Sequence, residues 1–166
     1  YVSQNRLNII IFWLIIFLFG RIIVSATSTI KVDIVSAEKT LFEGETHLLV
    51  ATAFNGELGI KPRHAPMLAM LIPGQVRLFN QEGTEEQVFY ISGGIIEVQP
   101  FKVTVLSDLA ERASDLDESR LIEAQEEARK ILESKTSEIE YATVQTRLLQ
   151  ASAQLAALRK WKNIRK

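Results

Sequence analysis

The chain contains no cysteine. Disulfide scaffolds and thiolate metal sites are therefore excluded, and the composition suits a reducing compartment. Histidine is scarce as well. His47 and His64 stand far apart, and without thiolates they offer no zinc set. Neither a GxxxxGK[ST] phosphate loop nor a GxGxxG dinucleotide turn occurs. Gly93-Gly94 follows Ser92, but the GxSxG nucleophile elbow is missing. Charge excess is missing too. The formal net charge is −1, whereas a nucleic-acid binder is normally basic overall or on one face. These gaps together speak against an independent enzyme.

What is present is apolar patterning. Of 166 residues, 47% are hydrophobic and 23% charged, which suits one globular domain with an appendage. The first 24 residues form a hydrophobic extension. Residues 9–20 read IIIFWLIIFLFG, followed by Arg21. That run is short for a membrane-spanning helix, which needs roughly 20 apolar residues. It suits a signal-peptide core, with Arg6 before it and Val24-Ser25-Ala26 as a small-residue cleavage site. A tilted span with Arg21 snorkelling is a second reading. The third is upstream sequence, with translation beginning near Val24.

Residues 25–112 read as a β module. Ile30, Val32 and Ile34 alternate with Lys31 and Asp33, the signature of a half-buried strand. Glu43-Gly44-Glu45 predicts a turn. Residues 47–54 predict a strand closed by Asn55-Gly56, a hairpin signal. Residues 67–72 are apolar and end at Pro73-Gly74, which predicts another turn. Strands are expected at 75–80 and 87–91, with a bend or bulge at Gly93-Gly94. Ile96 and Val98 share one face, and Val103 and Val105 resume the alternation after Pro100-Phe101. Short strands at such spacing predict a sandwich or barrel. His64, between Pro62 and Pro66, sits in a rigid loop suited to a partner contact or to plain solvent exposure.

Glycine and proline stop after Arg112. Residues 113–166 predict two helices. Asp115 with Glu118 suggests a capping box at the first. Leu121, Ala124, Ala128, Ile131 and Leu132 then share a face. Residues 134–137 (SKTS) break the pattern, and Ser137 with Glu140 is a second capping candidate. Tyr141, Val144, Leu148, Ala151, Leu155 and Leu158 are spaced as an a/d seam. The basic end, from Arg159 through Lys160 and Lys162, suits a helix C-terminus or an acidic partner. A two-helix unit is marginal alone, so it must pack on the β module or on another protein.

Several segments in order carry a resemblance: VSAE (35–38), GELGI (56–60), HAP (64–66), PG (73–74), SGGIIEVQP (92–100), VTVL (103–106) and LDESR (116–120). By these the chain resembles the epsilon subunit of bacterial F-type ATP synthases, from about Ser25 to its end. The resemblance implies an α+β fold, an N-terminal β-sandwich followed by a C-terminal antiparallel two-helix hairpin. It implies a non-catalytic stalk subunit. The sandwich would hold the gamma subunit and touch the c-subunit ring, with Glu57 and His64 at the ring-facing base. The hairpin would inhibit ATP hydrolysis when extended into the catalytic alpha/beta head, its basic residues Arg159, Lys160 and Lys162 facing acidic segments there.

The complex would sit on the cytoplasmic face of the bacterial inner membrane, making this chain a peripheral membrane component. Some relatives bind regulatory ATP through an Ile/Leu-Asp-x-x-Arg-Ala motif. Leu116, Asp117 and Arg120 match it, but Leu121 replaces the alanine. Asp117 and Arg120 are therefore read first as a helix-start carboxylate and a local ion pair, and no cofactor is expected. Two alternatives remain: a membrane-anchored or exported β-sandwich binding module, and a soluble nucleotide sensor.

Overall fold

The structure, a computed structural model, describes residues 29–133 and 138–165, without the side chains of residues 138–140. The hydrophobic extension, the break at 134–137 and the Ser137/Glu140 capping candidate lie outside the described residues.

Nine strands come first: β1 (Ile30–Ser36), β2 (Thr40–Thr46), β3 (Leu48–Ala53), β4 (Gly56–Ile60), β5 (Met67–Phe79), β6 (Glu85–Ile91), β7 (Gly94–Gln99), β8 (Lys102–Ser107) and β9 (Ala110–Arg112). A 3-10 turn over Ala113–Asp115 leads into helices α1 (Glu118–Glu133) and α2 (Glu138–Ile164). Strand pairing runs β2-β1-β8-β7-β5-β3-β4, and β5 also pairs with β6, which pairs with β9. β5 belongs to both layers. Its first half, residues 67–71, pairs with β7. Its second half pairs with β3 and β6.

The core lies between the two layers. Ile30, Val32, Ile34, Ile96, Val98, Val103 and Val105 come from one layer. Leu49, Ala51, Ile60, Val76, Leu78, Phe89 and Ile91 meet them from the other. The period-2 alternation in the sequence puts these residues on one face of each strand. A fully buried aliphatic or aromatic side chain contributes roughly 1.5–3 kcal/mol, so this cluster dominates the fold's stability.

Two turn expectations fail for related reasons. Glu43-Gly44-Glu45 lies inside β2, where Gly44 pairs with Val32. The Phe42 ring covers Gly44, and a Cβ there would stand 2.6 Å from that ring. The glycine provides room for a side chain. Pro73-Gly74 also lies within a strand. β5 passes through it between Leu71, paired to Gly94, and Gly74, paired to Ile91. Proline lacks the N–H a ladder needs, so it fits at the point where the strand changes layers. By contrast, Gly94 has φ +129°, and a Cβ would stand 2.0 Å from the Leu106 carbonyl oxygen, as expected of a glycine bend.

β6 explains how the helices attach. Phe89 and Ile91 point into the sandwich, and Val88 and Tyr90 point outward. All four are buried. The outer pair is covered by Ala153, Ala157, Trp161 and Ile164 of α2, together with Ala113 and Leu116. α2 thus has two working faces. Val144, Ala151, Leu155 and Leu158 of the predicted seam are buried, while Tyr141 at its start is exposed. The second face, centred on Ala157, was not visible in the seam pattern.

Candidate functional site

The two outer faces of the sandwich differ. One lies under α2. The other is uncovered: charged at one end, where Lys102 pairs with Asp33, and apolar at the other. On it Met70 of β5 pairs with Ile95 of β7, and Ile95 pairs with Leu106 of β8. Leu106 continues the row to Val35 of β1. At the opposite end the Phe54 N–H donates to the Met70 carbonyl at 3.2 Å. Phe54 is 78% exposed, Met70 72%, Leu106 49% and Ile95 42%, with Leu68 beside them at 70%. Side chains directly opposite on neighbouring strands stand about 5 Å apart, so the row forms one continuous stripe. A shallow hollow of about 310 Å³ adjoins it, lined by Val35, Ala37, Ile95 and Leu106. Contiguous exposed apolar surface of this kind marks a protein-docking site, unlike single scattered residues.

The covered face carries polar latches. Gln154 Nε2 donates to Glu111 Oε2 at 2.9 Å. Lys162 donates to Glu118, tying the end of α2 to the start of α1. That hydrogen bond, more than any other influence, holds the Glu118 carboxyl below the usual carboxylate range. Lys160 Nζ lies 3.5 Å from Glu85 Oε2. The other Glu85 oxygen is 3.5 Å from Arg77 Nε, and Arg77 Nη2 donates to Glu57 Oε1 at 2.7 Å. Tyr90 lies beneath α2 with a hydroxyl that is buried and has no hydrogen-bond partner among the described residues. Burial, and then the nearby Glu111 charge, push its pKa up to about 12.

The residues singled out from sequence fall in three places. Glu57 lies on β4, exposed but engaged by Arg77. His64 lies in the loop after β4, where its Nδ1 is 2.8 Å from the Ala65 carbonyl. The neighbouring Arg63 takes a left-handed φ of +66° and donates its N–H to the Pro100 carbonyl. Lys160 and Lys162 are used internally, while Arg159 is exposed. Asp117 is the true helix cap, correcting Asp115. Its Oδ1 accepts from the Ser119 and Arg120 backbone N–H groups, and Asp115 stays in the preceding 3-10 turn. Those are the second and third helical amides, the donors an N-cap satisfies. Arg120 Nε lies 3.6 Å from Asp117 Oδ2, an exposed pair within one turn. Among the described residues no group of three His, Cys, Asp or Glu could hold a metal ion. Nor is any described helix long and apolar enough to cross a membrane.

A sandwich with one outer face under its own helices and an open apolar stripe on the other has the build of a protein-docking module. Comparison with known proteins sharpens that class. Residues 29–113 match the family described as ATP synthase, Delta/Epsilon chain, beta-sandwich domain. The ATP synthase epsilon chain of Alkalilimnicola ehrlichii is 53% identical over 131 residues, 79% of this chain and 93% of that one. The epsilon chain of Halorhodospira halophila is 48% identical over 131 residues, with the same shares. A chain in the Euglena gracilis mitochondrial ATP synthase structure (OSCP/F1/c-ring, rotational state 1) superposes with a TM-score of 0.70. It is 20% identical, with 81% of this chain and 84% of that chain covered, which supports the fold alone. The chain belongs to the epsilon-chain family of ATP synthases.

Proposed function

We propose that this chain is a non-catalytic coupling and regulatory subunit of an F-type ATP synthase, docked on the gamma shaft through its uncovered apolar stripe. The observation that carries this reading is the in-register row Phe54, Met70, Ile95 and Leu106, open on one outer face while α2 closes the other. The proposed occupant is the gamma subunit, the partner that the resemblance to bacterial epsilon subunits implies for the sandwich. An interface of standard size buries about 800 Å² on each partner, which a stripe across four strands can provide. Glu57 and His64 face the c-subunit ring, and the chain is peripheral to the cytoplasmic side of the bacterial inner membrane.

The helical hairpin is the regulatory element. Docked, it permits ATP hydrolysis. Released, it reaches the catalytic alpha/beta head, where Arg159, Lys160 and Lys162 meet acidic surface and block turnover. The latches on the covered face are few and partly exposed, which suits a contact that exchanges between two surfaces. Asp117 and Arg120 start α1, and no cofactor is required. Heat released on calorimetric titration with ATP would reassign them to a nucleotide site.

Reconstitution with gamma tests the docking face. Met70→Glu with Leu106→Glu places two charges in the stripe and abolishes the complex while leaving the fold intact. A complex of unchanged affinity refutes the assignment. Deleting residues 114–166 raises ATPase activity of the assembled enzyme while assembly survives. Unchanged activity refutes the inhibitory role.

A further inference from the structure

We propose that Glu57, Arg77, Glu85 and Lys160 form a charge relay that couples the state of strand β4 to the release of α2. This rests on the reading that α2 can detach. Arg77 lies between two carboxylates, bonded to Glu57 at 2.7 Å and 3.5 Å from Glu85. The Arg77 side chain is 14% exposed and that of Glu85 is 9% exposed. Glu85 Oε1 accepts no hydrogen bond among the described residues, so this carboxylate depends on nearby cations for compensation.

Charge counting gives the direction. One guanidinium facing two carboxylates leaves a net charge of −1, and Lys160 of α2 supplies the missing positive charge, 3.5 Å from Glu85. The quartet is neutral only when α2 is docked. Neutralising Glu57, by substitution or by a cationic group from a partner at β4, removes the excess. Arg77 then compensates Glu85 alone, and Lys160 is held less tightly. A contact on β4 therefore loosens the helix on the other side of Arg77. By linkage, release of the helix strengthens the same contact by the same factor. Glu57 is 62% exposed and open to such a partner, whereas Glu85 is not.

The absence of cysteine supplies the assay. In the full chain, Ala157→Cys places a single thiol at a position that is 0% exposed under the docked helix. Its rate of modification by a disulfide reagent reads the opening equilibrium. Glu57→Gln is expected to raise that rate by about twofold, the scale of a partly exposed charge coupling. In a Lys160→Met background, already faster, Glu57→Gln changes nothing further. Lys162→Met breaks the separate latch to Glu118 and accelerates opening by the same factor whether or not Glu57→Gln is present. Equal rates with and without Glu57→Gln, or a Glu57→Gln effect that survives Lys160→Met, would overturn the relay. Modification that proceeds only with global unfolding would overturn the detachable helix and the relay together.

Discussion

Tyr90→Phe isolates one atom at the junction of sandwich and helices. The Tyr90 ring is buried among Val88, Ala113 and Ala157, and its hydroxyl has no partner among the described residues. Burying an unsatisfied polar group costs about 1–3 kcal/mol, so removing this oxygen should cost nothing and stabilise by up to about 1 kcal/mol at pH 7. A second effect appears in alkali. The tyrosine pKa rises from 10.0 to about 12 in the folded chain, by burial first and Glu111 second. Between those values the unfolded chain has lost a proton that the folded chain still holds. Stability then falls as pH rises, by about 2–3 kcal/mol across the window, and below it the group contributes nothing. Urea denaturation of both proteins at pH 7, 10 and 11.5 reads the difference, and all other titrations cancel in the comparison. Parallel stability curves, or a Phe variant less stable than the parent at pH 7 by more than about 1 kcal/mol, would refute the reasoning.

Gly94→Ala is expected to cost at least about 3 kcal/mol, because it combines a left-handed backbone with a collision at the Leu106 carbonyl. Thermal unfolding measures it, and a small loss would mean the bend is not built as described. The Lys162 hydrogen bond makes α2 docking acid-sensitive. A carboxyl held low in the docked state stabilises above its ordinary value of 4.5 and ceases to do so as pH falls through the lowered one. Trp161 fluorescence, read in a Trp13→Phe background, should report helix release on acidification below that point, and Glu118→Gln should remove this dependence.

Much of the sandwich is legible because its strands have one wet and one dry face. Ile30, Val32 and Ile34 alternate and are all buried. The helical seam is legible for the same reason at period 3.6, through Val144, Ala151, Leu155 and Leu158. The misreadings arise where small residues serve distant neighbours. Gly44 makes room for Phe42, and Gly74 for Thr52, whose side chain a Cβ would meet at 2.6 Å. Both look like turns because glycine reports only freedom, not its use. Ala157 is fully buried, yet an alanine in a helix carries no polarity signal. The clue to the second face of α2 was Val88 to Ile91, an unbroken apolar run in β6 that only a strand covered on both sides requires. The docking stripe was hidden because its members come from separate strands and from the turn after β3, and align only through register. The Glu85–Lys160 contact joins residues 75 positions apart, beyond any local pattern.

Hydroxyl-radical footprinting of the chain alone and bound to gamma tests the central claim most directly. Met70 and Phe54 are reactive, exposed side chains at the centre and end of the stripe. Their oxidation should drop severalfold in the complex. Unchanged oxidation of Met70, with protection moved elsewhere, would contradict the assignment of this face to the shaft.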